Sequence, residues 1–143
     1  MPNGSDSTSL SRITLRNKRA DIDQLEETIT SEAEGLGYAK ASRFAIRLAL
    51  DEAITNAFKH GHEQLPSDLP ILVEYQVRPN EVRLAVQDQG PGFNPADIAD
   101  PTLDENLEQM SGRGVILIRA YMASVKFNSR GNRIEMVYKK PAG

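Results

Sequence analysis

The sequence contains no cysteine and no tryptophan, and it has only two histidines in 143 residues. Without cysteine there is no disulfide framework and no thiolate metal site, and two imidazoles alone do not make a zinc centre. The net charge is only −3 and no run of Lys or Arg occurs, which argues against direct binding to nucleic acid. No stretch is long and apolar enough to span a bilayer, and the N-terminus does not resemble a signal peptide. We therefore expect a soluble cytoplasmic protein that acts away from membranes.

The composition that remains is that of one globular domain. Hydrophobic residues make up 39% of the chain and charged residues 26%, which is typical of folded proteins. The length suits a single hydrophobic core. Residues 1–11 are rich in Ser and predict a flexible tail, and residues 12–140 are expected to form the domain.

Hydrophobic periodicity predicts an α+β fold. Alternating polar and apolar residues predict strands at 12–16, 71–77, 81–87, 124–128 and 133–139. Apolar residues spaced three and four apart predict helices at 18–36, 40–59 and 115–122. The first helix carries acidic residues that we interpret as a solvated face, namely Glu26, Glu27, Glu32 and Glu34. This order predicts three helices on one face of a mixed, mostly antiparallel sheet.

The second predicted helix contains a polar stripe within the segment LDEAITNAFKH. Glu52, Asn56 and His60 recur at every fourth position and therefore share one helix face. An amide oxygen is a suitable hard ligand for Mg²⁺, and a carboxylate one turn earlier can act as a general base. The alternative interpretation is an ordinary solvated face.

A glycine-rich turn follows the third predicted strand. Asp88 stands where the strand ends, and Gly90 and Gly92 permit close approaches that a side chain would block. A carboxylate fixed in such a turn can accept a hydrogen bond from an exocyclic amine such as that of adenine. Taken alone, the pattern is equally typical of an Asp-Gly-Pro-Gly turn without a ligand.

The third predicted helix is preceded by a second glycine motif. Gly112 and Gly114 border the helix start, where unpaired N–H groups and the helix dipole favour a phosphate, and Arg113 can add a charged contact. Residues 94–111 form a long polar loop of the kind that is usually functional or mobile. Glycines before helices are common, so this motif alone is weak.

Together and in this order, the motifs resemble the GHKL superfamily of Bergerat-fold ATPases. The segments DEAITNAFKHGHE, VQDQGPGFNP and GRGVILIRAYM are similar to those of the anti-sigma factor serine kinases of bacterial partner switching. The resemblance covers residues 12–140 and implies a two-layer Bergerat sandwich that binds ATP.

The resemblance also implies residue roles for the first two motifs. Glu52 matches the general base for the attacking hydroxyl, and Asn56 matches the amide that binds Mg²⁺ between the ATP phosphates. Asp88 matches the residue that binds adenine, with Gly90 and Gly92 shaping that pocket.

Further roles follow for the rest of the site. Residues 94–111 match the ATP lid, and Gly112, Arg113 and Gly114 match its phosphate-facing end. Lys59 is expected near the phosphates, whereas His60 is left outside the catalytic set. The family often has a threonine after the glycine of the last hairpin, where this chain has Asn132, so we expect the amide to take over a contact near the adenine.

The function that the resemblance implies is an ATP-dependent protein-serine kinase that acts as an anti-sigma regulator. Its acceptor would be a serine on a STAS-type anti-anti-sigma protein, its second partner a sigma factor or another regulated target, and its oligomeric state a homodimer. Two alternatives stay open. One is a nucleotide-binding anti-sigma adaptor without kinase activity, and the other is the detached catalytic domain of a histidine kinase.

Overall fold

The structure is a computed structural model that describes residues 10–63, 65–91 and 118–141. In this part of the chain, five strands and two long helices occur in the order β1 (Ser11–Leu15), α1 (Arg19–Gly35), α2 (Lys40–Asn56), β2 (Ile71–Val77), β3 (Glu81–Gln87), β4 (Ser124–Phe127) and β5 (Arg133–Lys139). Helix α2 continues directly into a π-helical turn at Ala57–Gly61. Residues 118–121 are helical and fall within the range predicted for the third helix.

The strands form one sheet in the order β1-β2-β3-β5-β4, and every pairing among the described residues is antiparallel. The bounds predicted for β2, β3 and β5 are confirmed, while β1 and β4, which lie at the two edges, differ from prediction by one residue at one or both ends. The predicted α+β class, with helices packed on an antiparallel sheet, is confirmed.

The core lies between the helices and the inner face of the sheet. Val73, Val86 and Ile134 stand side by side across β2, β3 and β5 in the strand register. Helices α1 and α2 and the short segment before β4 contribute apolar side chains to this core: Ile22, Leu25, Ile29, Ile46, Leu50, Ile54, Ile118 and Met122. Each fully buried aliphatic side chain of this kind contributes about 1.5–3 kcal/mol. This packing fixes α2, which carries Glu52 and Asn56, against the sheet whose strand β3 leads into the Asp88 turn.

The outer face of the sheet is charged. A row of residues in register crosses all five strands: Arg12, Glu74, Ala85, Glu135 and Lys126. Arg133 pairs with Glu74, which is only 5% exposed. This ion pair joins β5 to β2, which lie on either side of the central strand β3.

One of the four glutamates of α1 was assigned wrongly from the sequence. Glu26 is 2% exposed and lies between α1 and α2, whereas the other three are exposed as predicted. Position 26 follows Ile22 by four residues and precedes Ile29 by three, so it lies on the buried stripe of the helix. Its charge obscured a periodicity that the sequence does contain.

No helix in the described ranges is long and apolar enough to cross a membrane. Residues 1–9 of the predicted tail lie outside the described residues, and Ser11 already belongs to β1.

Candidate nucleotide-binding site

Glu52 and Asn56 lie one turn apart near the end of α2, and both are half-buried. Among the described residues, neither side chain has a hydrogen bond or an ion pair. With respect to the described residues, the helix thus presents a carboxylate and an amide whose oxygens have no partner. The roles of a base and a metal ligand stay predictions for these two side chains.

The neighbouring carboxylate, Asp51, is engaged by the protein instead. Nη2 of Arg19 donates to Asp51 Oδ1 at 2.9 Å. Asp51 also faces Glu26, and burial, followed by the shared hydrogen bond with Asp51, raises the pKa of Glu26. Burial opposes ionisation of Asp51 as well, but the hydrogen bonds from Glu26 and Arg19 outweigh it and lower the pKa of Asp51. Asp51 therefore links α1 to α2, whereas its neighbour Glu52 has no partner among the residues that the structure describes.

A π-helical turn, Ala57–Gly61, continues α2 and contains Lys59 and His60. The N–H of His62 donates to the carbonyl of Ala57 at 3.0 Å, which is the five-residue closure of a π-helix. Lys59 and His60 on this turn are exposed. Helical segments of this type are frequent at functional sites because they redirect side chains within a helix.

Gly61, the last residue of the turn, touches Asp88. A Cβ on Gly61 would lie 2.9 Å from the Asp88 Cβ and would overlap the Asp88 carboxylate. The structure therefore brings Asp88 to the end of the helix that carries Glu52 and Asn56. Two motifs that are far apart in sequence meet in one place.

Asp88 is held as part of a tight turn after β3. The N–H of Gly90 donates to Asp88 Oδ1 at 2.7 Å. Burial raises the pKa of Asp88, while the hydrogen bond from the Gly90 N–H and the charge of the nearby Arg130 act in the opposite direction. The carboxylate is partly desolvated, so a ligand that donates a hydrogen bond to it stabilises its charged form.

Asn132, in the hairpin between β4 and β5, holds the backbone of Asp88 through two hydrogen bonds. The N–H of Asp88 donates to the Asn132 carbonyl at 2.9 Å, and Asn132 Nδ2 donates to the Asp88 carbonyl at 3.3 Å. Asn132 Oδ1 also accepts a hydrogen bond from Asn128 at 2.9 Å. Its amide therefore supports the turn, and direct contact with a nucleotide stays a prediction.

Sequence reasoning gave no role to His62. The side chain is 5% exposed, and its Nε2 accepts a hydrogen bond from the backbone N–H of Gln89 at 2.8 Å. Gln89 lies in the middle of the Asp88 turn. The one signal available in the sequence was the position of His62 directly after Gly61.

The remaining predicted site residues lie outside the described residues, as does the predicted lid at 94–111. These are Gly92, Gly112, Arg113 and Gly114.

The described side chains could contribute to a metal site only together with oxygens from a ligand or water. In the described ranges, no group of three or more His, Cys, Asp or Glu side chains could hold an ion by itself. Mg²⁺ is usually bound through one or two protein oxygens together with substrate phosphates and water. The amide of Asn56, which has no partner in the described ranges, fits a magnesium ion that arrives with a nucleotide.

Comparison with known proteins gives the family. Two curated relatives are anti-sigma F factors. That of Clostridium perfringens (strain SM101) is 28% identical over 124 residues, covering 77% of this chain and 88% of the relative. That of Geobacillus thermodenitrificans is 28% identical over 138 residues, covering 95% of this chain and 84% of the relative.

A third relative carries the name of an enzyme. The serine-protein kinase RsbW of Oceanobacillus iheyensis is 28% identical over 109 residues, covering 72% of this chain and 68% of the relative. A family model described as a histidine kinase-like ATPase domain matches residues 15–138. That range begins in β1 and ends in β5, and it includes Glu52, Asn56 and Asp88. The chain therefore belongs to the family of histidine kinase-like ATPase domains.

Proposed function

We propose that this protein is an ATP-dependent protein-serine kinase of the anti-sigma factor type, acting on a STAS-type anti-anti-sigma protein. The observation that carries the proposal is the contact of Gly61 with Asp88, which brings the adenine-binding candidate to the end of the helix that carries Glu52 and Asn56. The names of the relatives, two anti-sigma factors and a serine-protein kinase, support the same direction.

The nucleotide would lie along this junction. Asp88 would accept a hydrogen bond from the adenine amine, next to Gly90 and Gly92. The phosphates would extend toward Asn56 and Lys59, where the N-terminus of the third helix, with Gly112, Arg113 and Gly114, would meet them. Asn56 would hold Mg²⁺, which supplies charge neutralisation to the phosphate oxygens when it is bound.

Glu52 would carry the chemistry of transfer. The serine Oγ of the acceptor forms a bond to the terminal phosphorus while the bond from that phosphorus to the bridging oxygen of ADP breaks. Glu52 orients the hydroxyl and takes its proton, so the products are phosphoserine, ADP and a protonated carboxyl. The half-burial of Glu52 and its lack of a partner in the described part of the chain leave its oxygens available for this step.

Electrostatic repulsion would release the phosphorylated acceptor from the kinase and so make room for the regulated target. A phosphate adds about −1.5 to −2 charges to the acceptor. The kinase itself has a net charge of −3, so repulsion would favour release of the phosphorylated partner. The kinase, as a homodimer, would then bind a sigma factor or another target.

Substitution of Glu52 tests the transfer step. Glu52→Gln is expected to bind ATP like the unaltered protein and to lower phosphorylation by about 10²–10⁴-fold, the usual contribution of a positioned base. The assay uses ATP labelled on its terminal phosphate and a STAS-domain protein encoded beside the gene. Asp51→Asn, a change of the adjacent but paired carboxylate, is the matched control and is expected to retain transfer. Full phosphorylation by Glu52→Gln would remove the residue from this role.

The same assay separates the alternatives. An adaptor without kinase activity binds ATP but leaves the acceptor unlabelled. A histidine-kinase catalytic domain labels a histidine, and phosphohistidine is lost in acid whereas phosphoserine is not. Independently, Asn56→Ala is expected to weaken binding of magnesium ATP, and unchanged affinity would contradict the metal assignment.

A further inference from the structure

His62 contacts the Asp88 turn through its side chain. It follows the π-helical turn directly, and its ring meets the edge of Phe58 at 5.9 Å between centroids, with the planes at 81°. Its Nε2 accepts the N–H of Gln89 at 2.8 Å. The imidazole therefore joins the end of α2 to the residue between Asp88 and Gly90.

This contact fixes the chemical form of the ring. A nitrogen that accepts a hydrogen bond carries no proton, so in the neutral imidazole the proton is on Nδ1. Nδ1 of His62 is buried and has no hydrogen-bond partner among the described residues. A buried donor without a partner destabilises a fold, and an apolar ring of similar size would avoid that loss. The hydrogen bond that Nε2 accepts from the Gln89 N–H offsets this loss and gives the imidazole a role at this position.

Three independent contacts hold the same short turn. Gly61 abuts the Asp88 side chain, Asn132 bonds the Asp88 backbone on both its N–H and its carbonyl, and His62 bonds the next N–H along the chain. Of these three residues, His62 alone acts through a side-chain acceptor, and it lies directly after the π-helical turn. Without it, the Gln89 N–H would lose its hydrogen-bond partner, and the turn would be left with the Gly61 packing contact on the side of the helix end.

We propose that His62 is a positioning residue that sets the preference of the site for adenine. By holding the Asp88–Gly90 turn in place, it would keep the Asp88 carboxylate where it can accept a hydrogen bond from the exocyclic amine of the base. The inference rests on the proposed function, because it takes Asp88 as the residue that binds the exocyclic amine. The substrate feature that His62 controls is this amine. Inosine triphosphate, which has a carbonyl oxygen in its place, is therefore the informative competitor.

The test compares variants that keep or remove the acceptor. His62→Phe keeps a ring against Phe58 and removes the acceptor, while His62→Gln places an amide oxygen at a similar reach. Affinities for ATP and inosine triphosphate, both with magnesium, are measured by calorimetry on the full chain, with melting temperatures alongside. His62→Phe is expected to bind ATP about two- to tenfold more weakly, the range for one neutral hydrogen bond, and to lose preference over inosine triphosphate by the same factor. His62→Gln is expected to stay within about twofold.

A structural role alone would move the melting temperature but leave the preference unchanged. Glu63→Gln, an exposed neighbour, serves as the control for substitution at this loop. If His62→Phe does not fold, His62→Asn replaces it, because its shorter amide does not reach Gln89. An unchanged ATP preference in the acceptor-free or shortened variant overturns the inference, whereas absence of nucleotide binding by the unaltered protein overturns the proposed function itself.

Discussion

The carbonyl group of Gly61 lies against Gly90 so closely that no side chain fits at position 90. A Cβ there would overlap the Gly61 oxygen and would lie 2.9 Å from the Gly61 carbonyl carbon. Neither glycine needs a positive φ at this contact, so the requirement is space and not backbone conformation. The spacing between the helix that carries Glu52 and the turn that carries Asp88 therefore depends on two missing side chains.

Adding a methyl group to either glycine should separate these elements. Gly90→Ala meets rigid backbone and is expected to lower the free energy of unfolding by about 1–3 kcal/mol, the usual effect of overpacking. Gly61→Ala meets both the carboxylate and the Cβ of Asp88, and rotation of the carboxylate relieves only the first overlap. It is therefore also expected to destabilise the protein, and its effect on ATP affinity should be large because Asp88 must move. Urea denaturation and calorimetry with magnesium ATP measure the two effects separately.

Gly35 provides the matched control for both substitutions. It is the last residue of α1, and a Cβ there would have nothing within 4 Å. Gly35→Ala is expected to leave ATP binding unchanged and to stabilise the protein by about 0.4–1 kcal/mol through the unfolded chain. Equal affinities in all three variants would show that the contact does not shape the site.

Much of the fold was predictable because the alternation of apolar residues is strict where a strand has neighbours on both sides. The bounds of β3, which lies at the centre of the sheet, follow directly from Val82, Leu84 and Val86. At the sheet edge the pattern weakens: four of the five residues of β1 are exposed, and its bounds were shifted by one residue.

The site was predictable as motifs but not as an arrangement. The segment Ala57–Gly61 has the composition of a continuing α-helix, and nothing in it signals the change to π-helical closure. The contacts of the Asp88 turn with Gly61 and His62 join positions 27 or more apart, and no periodicity connects them. Local patterns give elements, whereas these contacts depend on how the elements pack.

The buried Glu26 predicts an unusual dependence of stability on pH. Burial and the neighbouring Asp51 raise its pKa from 4.5 to about 8, against the opposing charges of Arg19 and Arg47. Because the native state holds a proton that the unfolded chain releases, stability should fall as the pH rises between these two values. Glu26→Gln mimics the protonated form and should flatten that part of the profile. Chemical denaturation across the range measures it, and coincident slopes for the two proteins would contradict the assignment.

Arg133 and Arg12 both pair with Glu74, but their contributions should differ. Arg133 is 21% exposed and Arg12 67%, while Glu74 is nearly buried. Arg133→Ala is expected to lower the free energy of unfolding by about 1–3 kcal/mol because it leaves a buried carboxylate with one exposed partner. Arg12→Ala should lower it by less than about 1 kcal/mol. A double-mutant cycle with Glu74→Gln isolates the pair, and equal losses for the two arginines would contradict this ranking.

The pKa of Glu74 gives the same pair a second signature. The hydrogen bond from Arg133 lowers this pKa despite burial, and Arg12 adds to the effect. A carboxylate whose pKa is lower in the native state stabilises the fold above its unfolded pKa and loses that contribution as the pH falls through the native value. In acid, the difference in stability between Arg133→Ala and the unaltered protein should therefore shrink.

Asp88, whose pKa is shifted in the opposite direction, predicts a dependence of ATP binding on pH. Burial raises its pKa, so the carboxyl takes up a proton at a higher pH than an exposed aspartate, whose pKa is about 3.9. The ionised form accepts the hydrogen bond of the adenine amine most strongly, so ATP affinity should begin to fall on mild acidification, before the exposed carboxylates titrate. Binding should also release a fraction of a proton in that range, which calorimetry in buffers of different ionisation enthalpy detects. Asp88→Asn cannot titrate, so it should bind ATP weakly and show neither effect. If its affinity follows the same acid profile as the unaltered protein, another group governs the pH dependence, and Asp88 does not bind the base.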